Sequence, residues 1–135
     1  LQDQCARVAM ERGYIKTFAG RRCRFDLWEG RYERNLPLPL KEAKEKYGDD
    51  LKRSYTYTAL NRLIQGSAAD MTRLAMIGLW EEGIVPHLQV HDEVDISVEN
   101  EKQAEKIKEI MQTCVELHVP SVVDYEKGAS WGEIK

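Results

Sequence analysis

The sequence predicts an α+β fold in which a small antiparallel sheet, carrying an acidic β-hairpin, packs against long helices. Three observations support this class. Apolar residues recur at about the 3.6-residue period of a helix between residues 60 and 79. Apolar and polar residues alternate around two short turns, at residues 19–20 and 91–93. No linker, repeat or low-complexity stretch interrupts the chain, so residues 1–135 are expected to form a single unit.

A helix and a hairpin are predicted at the start of the chain. Residues 1–13 have the character of a helix, and Gly13 stands where glycine commonly ends one. Residues 14–18 and 22–27 alternate around Ala19-Gly20, which is typical of a β-hairpin. The helix is therefore expected to lead directly into two antiparallel strands.

The next stretch, residues 28–40, predicts a loop. It contains Pro37 and Pro39, and proline interrupts regular structure because its nitrogen has no hydrogen to donate. Residues 41–47 are charged and free of proline, which predicts a short helix that ends at Gly48.

The longest helical signal covers residues 52–82, and Gly83 is expected to end that helix. Two strands are predicted to follow it, at residues 85–90 and 94–98, with His91-Asp92-Glu93 at the tip of the hairpin between them. Five apolar residues of these strands are expected to face the core: Leu88, Val90, Val94, Ile96 and Val98.

A further helix and a third strand are predicted at the end of the chain. Asn100 and Gln103 have the spacing of a capping box. The helix that they begin carries a stripe of residues expected to be buried, namely Ala104, Ile107, Ile110, Met111, Cys114 and Leu117. Pro120 is expected to end the helix, and residues 121–125 predict the third strand.

The composition is that of an ordinary globular domain. The 135 residues are 42% hydrophobic and 32% charged, with a mean hydropathy of -0.56, which excludes a disordered tail or a collagen-like repeat. No apolar run approaches the roughly 18 residues of a membrane span, and the start has no signal-peptide pattern. The 3 cysteines lie far apart without Cys-x-x-Cys spacing, which argues against a disulfide framework or a zinc knuckle and predicts a cytoplasmic location.

Charge is divided unevenly along the chain. Residues 1–55 contain 13 basic and 9 acidic residues, whereas residues 56–135 contain 7 basic and 14 acidic ones. A basic part suits contact with phosphates, and an acidic part suits metal ions. The alternative is that both parts are simply solvated surface.

The predicted hairpin tip is the strongest candidate for chemistry. Asp92 and Glu93 are adjacent at a stiff turn, where two carboxylates repel each other unless a cation lies between them. Magnesium suits such a site because it binds one or two carboxylates and completes its shell with water and substrate phosphates. The alternative is an ordinary turn in which Asp92 bonds to the backbone and Glu93 is solvated.

Two further stretches predict contact with nucleic acid. In the long helix, Asn61 and Gln65 share a face, and four small residues follow, Gly66-Ser67-Ala68-Ala69. Small residues allow a close approach, either by a nucleic-acid duplex or by a packed sheet. The first hairpin and the residues after it are basic, with interleaved aromatics, which is typical of a phosphate-binding element or of plain basic surface: Lys16, Arg21, Arg22, Arg24, Arg31 and Arg34.

The order and spacing of four stretches closely resemble the C-terminal, palm-side part of family A DNA polymerases in a bacteriophage-like form. These stretches are Gly13-Tyr14-Ile15-Lys16-Thr17-Phe18-Ala19-Gly20-Arg21-Arg22, Asn61 with Gln65-Gly66-Ser67-Ala68-Ala69-Asp70-Met71, Leu88-Gln89-Val90-His91-Asp92-Glu93, and Gly128-Ala129-Ser130-Trp131. The resemblance spans nearly the whole chain.

The resemblance implies a role for each candidate residue. Asp92 would be a catalytic carboxylate that binds Mg²⁺, Glu93 a second carboxylate near the same ions, and His91 a neighbour of the primer's terminal phosphate. Asn61 and Gln65 would contact the duplex near the active site. Lys16, Arg21 and Arg22, in the basic hairpin, would contact DNA on the template side.

The chain also departs from the family pattern. Tyr57 stands where the family often has an arginine, and Leu63 replaces a common proline. Residues 28–53 form an insertion relative to bacterial repair polymerases. The nucleotide-binding helix and the first catalytic aspartate motif are not in this sequence, so residues outside it would complete a site for two Mg²⁺ ions about 4 Å apart.

The resemblance implies a DNA-directed DNA polymerase, which transfers a nucleotide from a deoxynucleoside triphosphate (dNTP) to a primer 3′-hydroxyl. The abrupt start of the chain predicts an excised or split C-terminal fragment, and the missing catalytic motifs predict that it is inactive alone. Its expected partners are primer–template DNA, dNTP, the upstream polymerase segment and, through bared apolar surface, a second copy of the chain. The alternative is a non-catalytic nucleic-acid-binding or scaffolding module.

Overall fold

The first helix forms as predicted, whereas the hairpin forms with strands shorter than the predicted residues 14–18 and 22–27. In the computed structural model, which describes residues 1–32 and 36–134, α1 (Gln2–Arg12) ends at Gly13. This glycine has a φ of 77°, and its N–H donates to the Ala9 carbonyl at 2.9 Å. Strands β1 (Tyr14–Lys16) and β2 (Arg22–Arg24) then pair in antiparallel register.

The loop prediction for residues 28–40 is wrong for residues 28–30 and 38–39, which form strands, whereas residues 31–32 and 36–37 lie outside helices and strands. Strand β3 (Leu27–Gly30) is the centre of an antiparallel sheet, between β4 (Leu38–Pro39) and β5 (Leu51–Arg53). Proline is accommodated because β4 is a two-residue edge strand, where a missing N–H need not break the ladder. The part of the prediction that covers residues 33–35 lies outside the described residues.

The predicted charged helix is confirmed as α2 (Leu40–Tyr47), which ends at Gly48 with a φ of 78°. The long helix, α3 (Ala59–Glu81), begins later than the predicted residue 52. Residues before it join the sheet as β5, and Tyr55 has a φ of 60°, which a continuous right-handed helix cannot contain. A 3-10 turn, Thr56–Thr58, follows, and α3 ends before Gly83 as predicted.

The chain divides into two compact units, Leu1–Ala68 and Ala69–Lys135, and each is described by itself. The interpretation of residues 1–135 as one unit stays a prediction. The core of the first unit consists of five buried residues, Cys5, Ala9, Ile15, Phe25 and Ala59. Beside this core, the Arg53 guanidinium donates to the carbonyls of Met10 at 3.2 Å and Phe25 at 2.9 Å.

The second unit contains the other predicted hairpin, in a shorter form. Its strands are β6 (Leu88–Val90) and β7 (Glu93–Asp95). The unit's core consists of Leu79, Ile84 and Ile107, and partly buried Val94 and Ile96 of the hairpin segment pack against it. Three predicted core residues are instead exposed, Leu88 by 42%, Val90 by 39% and Val98 by 43%. Within the described residues, β6 pairs only with β7, and its apolar side chains remain partly exposed.

The last helix, α4 (Glu101–Thr113), begins as predicted. Asn100 Oδ1 accepts from the Gln103 N–H at 3.0 Å. The Gln103 side chain accepts from the Glu99 N–H at 2.7 Å, one residue before the capping-box position. The helix ends seven residues before Pro120. Of its predicted stripe, Ala104 and Ile107 are buried, whereas Leu117 lies beyond the helix and is exposed.

The predicted strand at residues 121–125 does not form. In the part of the chain that the structure describes, no strand pairs with this segment, and a strand needs a neighbour to satisfy its backbone. The segment is held by side chains instead. Tyr125 Oη donates to Glu101 and, at 3.3 Å, to Glu105, and Lys127 donates to Glu101 at 2.7 Å.

Helices and small antiparallel sheets together confirm the predicted α+β class. None of the described helices is both long and apolar enough to cross a membrane. The acidic hairpin belongs to the second unit, whereas the basic hairpin belongs to the first.

Candidate functional site

The acidic turn is built by a tight two-residue connection between β6 and β7. His91 and Asp92 form the connection, and Glu93 opens β7 opposite Val90. His91 has a φ of 54°, a value that short hairpin turns require and that few residue types adopt. The Gln89 side-chain amide donates to the His91 carbonyl, which ties the turn to β6. The backbone of the tip is thus fixed, and its three side chains are exposed.

The two carboxylates of the tip meet the chemical requirements of a cation site. Asp92 and Glu93 are adjacent, and within residues 1–32 and 36–134 neither side chain forms a hydrogen bond or an ion pair. Their mutual repulsion is relieved when a cation binds between them. Carboxylate oxygens in a water-accessible position suit Mg²⁺, which keeps several water ligands. The donor set of the tip therefore fits magnesium.

Other carboxylates do not complete the tip. Asp70 is buried on α3, 3.6 Å from the Arg73 guanidinium, and Asp95 lies opposite Leu88 in the hairpin ladder. Asp124 is exposed in the C-terminal segment. Among the described residues, no group of three or more His, Cys, Asp or Glu side chains could hold a metal ion. The chain by itself offers two carboxylates at the tip.

The basic hairpin of the first unit presents cations close together. Lys16 and Arg22 are direct cross-strand partners, and both are exposed. Like charges in this arrangement repel each other, so an anion between them would stabilise the pair. The Arg22 guanidinium lies over the Tyr14 ring, 4.7 Å from its centroid. The predicted Arg34 lies outside the described residues.

The small residues of α3 are explained in part by packing. A Cβ at Gly66 would lie 2.9 Å from the Thr17 methyl group, so the close approach at this position is made by the hairpin. Arg21 donates from Nη2 to the Gly66 carbonyl at 2.6 Å. The sequence left two interpretations of this stretch open, close approach by a nucleic-acid duplex or by a packed sheet. At Gly66 the structure supports packing. Asn61 and Gln65 remain exposed, on the same face of the helix as each other.

One feature of this unit escaped the prediction from sequence. A groove of about 370 Å³ runs along α3, lined by Gln2, Tyr57, Leu60, Asn61, Ile64 and Gln65. The structure thus places both predicted amide side chains in one groove with an exposed aromatic ring. The available signal was the spacing of Tyr57, one helical turn before Asn61.

The described residues thus present an acidic β-turn in the second unit and a basic hairpin and an amide-bearing helix segment in the first. Comparison with known proteins gives the family. The sequence model of DNA polymerase family A matches residues 1–133. The chain belongs to DNA polymerase family A.

Individual relatives agree with this assignment. The chain is 42% identical over 132 residues to a DNA-directed DNA polymerase of Pseudomonas phage M6, a match that covers 98% of this chain and 17% of the phage protein. It is 32% identical over 143 residues to DNA polymerase I of Streptococcus pneumoniae, covering 98% of this chain and 14% of that protein. The chain therefore spans less than a fifth of the length of these relatives.

A solved structure is also similar. It is the POL domain of Pol1 from M. smegmatis in complex with DNA primer-template and dNTP. The match has a TM-score of 0.60 and 28% sequence identity, and it covers 88% of this chain and 20% of that chain. The resemblance inferred from the four sequence stretches is confirmed at the level of the family.

Proposed function

We propose that this chain is the C-terminal, palm-side portion of a DNA-directed DNA polymerase and supplies the acidic turn of its active site. The observation that carries the proposal is the pair of adjacent, exposed carboxylates on a backbone-fixed turn, Asp92 and Glu93. The family assignment supports the reaction, which is transfer of a nucleotide from dNTP to a primer 3′-hydroxyl. The chain is proposed to need an upstream polymerase segment for activity.

The acidic turn acts by holding positive charge where the reaction needs it. Asp92 would bind Mg²⁺ through its carboxylate, with Glu93 as a second oxygen donor nearby. Magnesium bound there would lower the pKa of the primer hydroxyl and neutralise charge on the phosphates. His91 is proposed to lie beside the primer's terminal phosphate. Because its φ is positive, His91 also shapes the turn that presents Asp92.

The first unit is proposed to bind the primer–template. Asn61 and Gln65 would contact the duplex, where side-chain amides can donate to the acceptors that every base pair shows in the minor groove. Lys16, Arg21 and Arg22 would contact phosphates on the template side. The similar M. smegmatis polymerase was solved with DNA and dNTP, which supports these classes of partner. The cytoplasm of a bacterial or phage-infected cell is the proposed location.

Primer extension tests the proposal. The protein is combined with the upstream polymerase segment, and magnesium-dependent extension is expected to be lost in Asp92→Asn. The loss should exceed about 100-fold, as expected when a charged group that stabilises the transition state is removed. Asp124→Asn, at another exposed carboxylate of the same unit, is the matched control and should extend at the parent rate. Extension at the parent rate by Asp92→Asn would disprove the site.

The second candidate function is a non-catalytic module that binds nucleic acid or acts as a scaffold. It is favoured by the finding that the described residues contain no group of three potential metal ligands. DNA binding without extension, when the upstream segment is present, would support this candidate.

The isolated chain is also proposed to self-associate through exposed apolar residues such as Leu88 and Val90. A monomer in light scattering would contradict that association.

A further inference from the structure

Two exposed tyrosines immediately precede α3. Tyr57 is 67% exposed and Tyr55 is 40% exposed. Their ring centroids are 6.4 Å apart with an interplanar angle of 53°. Tyr55 has a φ of 60°, a backbone conformation that is unusual for a residue with a large side chain. The 3-10 turn Thr56–Thr58 begins directly after it. The backbone thus holds an aromatic pair at the surface.

The ring of Tyr57 lines the same groove as the candidate DNA-binding amides. Tyr57, Asn61 and Ile64 follow one another at helical spacing, and Gln65 lies beside them. The groove therefore combines a flat aromatic face and aliphatic surface with two side-chain amides. No acidic residue lines it among the described residues.

Two arginines of the same unit contact or belong to α3 without lining the groove. Arg21 reaches α3 at Gly66, the residue that follows Gln65. Arg62 also extends from α3 to the hairpin segment, where its guanidinium lies over the Phe25 ring at 4.9 Å from the centroid. A partner with negative charge and flat, stackable faces matches both properties, and single-stranded DNA has both.

We propose that Tyr57 stacks on an unpaired base of the template strand, so that the DNA-binding surface continues from Asn61 of α3 onto the 3-10 turn that precedes this helix. The inference rests on the proposed function, because it assumes that Asn61 and Gln65 contact the same DNA. It adds a contact that depends on stacking, since a tyrosine carries no charge to pair with a phosphate.

The test measures binding of this chain to two DNA probes by fluorescence anisotropy. One probe is a primer–template with a single-stranded overhang, and the other is the blunt duplex of the same paired sequence. The parent chain is expected to bind the overhang probe more tightly. Tyr57→Ala should weaken that binding by about tenfold, the effect of losing one base–aromatic stack. Its binding to the blunt duplex should not change.

Three further variants make the test specific. Tyr57→Phe keeps the ring and should keep the preference for the overhang, whereas Tyr57→Leu keeps apolar bulk without a flat ring and should lose it. Tyr32→Ala removes a tyrosine that is 84% exposed and does not line the groove, so it should behave as the parent. The dependence of affinity on salt should be the same in all four variants, because none removes a charge.

Each outcome separates this inference from the proposed function. If Tyr57→Ala retains the overhang preference while Lys16→Gln weakens binding to both probes, the stacking contact is wrong and the DNA interface stands. If the parent chain binds neither probe, the stacking contact is wrong, whereas the proposed function is decided separately by primer extension with the upstream segment. If Tyr57→Ala abolishes self-association and leaves DNA binding unchanged, the groove is occupied by protein and the inference is overturned.

Discussion

Arg21 donates a hydrogen bond from Nη2 to the carbonyl oxygen of Gly66 at 2.6 Å, and this bond joins the basic hairpin to α3. The partners are 45 residues apart in sequence. Because the acceptor belongs to the helix backbone, the position of the hairpin beside Gln65 does not depend on a second mobile side chain. The candidate phosphate-binding residues of the hairpin and the candidate amide residues of α3 are therefore held in a fixed position relative to each other.

Gly66→Ala is expected to destabilise the chain, although alanine is normally the better helix former by about 1 kcal/mol. The new Cβ would lie 2.9 Å from the methyl group of buried Thr17, which cannot move freely. Overpacking of this kind costs about 1–3 kcal/mol, so a net loss of about 1 kcal/mol is expected. Chemical denaturation measures it.

The companion variant is Thr17→Ser, which removes the obstructing methyl group and keeps the hydroxyl that accepts from the Arg21 N–H at 3.1 Å. In the double variant, Gly66→Ala should become stabilising. A stabilising effect of Gly66→Ala in the parent background would show that the hairpin does not pack closely at this position.

Gly13→Ala should be more harmful than Gly20→Ala. Both glycines have positive φ, 77° and 86°, so alanine at either costs about 1–2 kcal/mol of backbone strain. Only at Gly13 would the added Cβ meet another group, the Arg53 guanidinium at 2.7 Å. Displacing that guanidinium would also disturb its bonds to Met10 and Phe25. Equal unfolding free energies for the two variants would contradict the account of Arg53.

Much of the fold was predictable from local patterns, whereas tertiary pairing was not. Gly13 and Gly83 end their helices as the sequence indicates, because a glycine at positive φ is a local event. Strand β3 was missed because its partners come from distant parts of the chain, and its neighbouring prolines obscured it. The strand predicted at residues 121–125 failed for the opposite reason, since its apolar pattern is present but no described strand pairs with it.

The candidate site was likewise predictable where it depends on adjacent residues and unpredictable where it depends on packing. The acidic turn follows from adjacent residues, so Asp92 and Glu93 could be identified from sequence alone. The contact between Arg21 and Gly66, and the groove that contains Tyr57, depend on how the hairpin and α1 pack on α3. Spacing along the chain carries no information about such packing.

The C-terminal segment is expected to detach from α4 in acid. Hydrogen bonds from Lys127 and Tyr125 lower the pKa of Glu101 below its usual value of 4.5. A lowered pKa means that this carboxylate stabilises the docked segment above about pH 4.5 and that the effect is lost as pH falls through the lower, folded-state pKa. The NMR shifts of the Tyr125 ring, followed against pH, measure the detachment. Glu101→Gln should expose the segment at neutral pH, whereas Glu109→Gln should not.

Tyr125 should show the reciprocal effect. Its hydrogen bond to Glu101, followed by burial and the nearby carboxylate charges, raises the pKa of Tyr125 to about 12. A raised pKa means that the phenol supports docking fully below its usual pKa of 10.0 and loses that effect as pH rises toward about 12. In Glu101→Gln, the pKa of Tyr125 measured by NMR should fall toward 10.0. An unchanged value would show that Glu101 is not its partner.

The basic hairpin should determine how DNA binding depends on salt. Replacing Lys16 with Gln removes one charge next to Arg22, and each lost phosphate contact should lower the slope of log affinity against log salt by about 0.9. Lys41→Gln, at an exposed lysine of α2 in the same unit, is the matched control and should leave the slope unchanged. Equal slopes for Lys16→Gln and the parent would remove Lys16 from the proposed interface.

The most direct test of the central claim is a crystal structure of the polymerase formed by this chain and its upstream segment, with primer–template, dNTP and Mg²⁺ bound. The account predicts a magnesium ion about 2.1 Å from an Asp92 carboxylate oxygen, the distance typical of this ion, and no such ion in Asp92→Asn. A catalytically competent complex in which every magnesium ion lies away from Asp92 and Glu93 would contradict it.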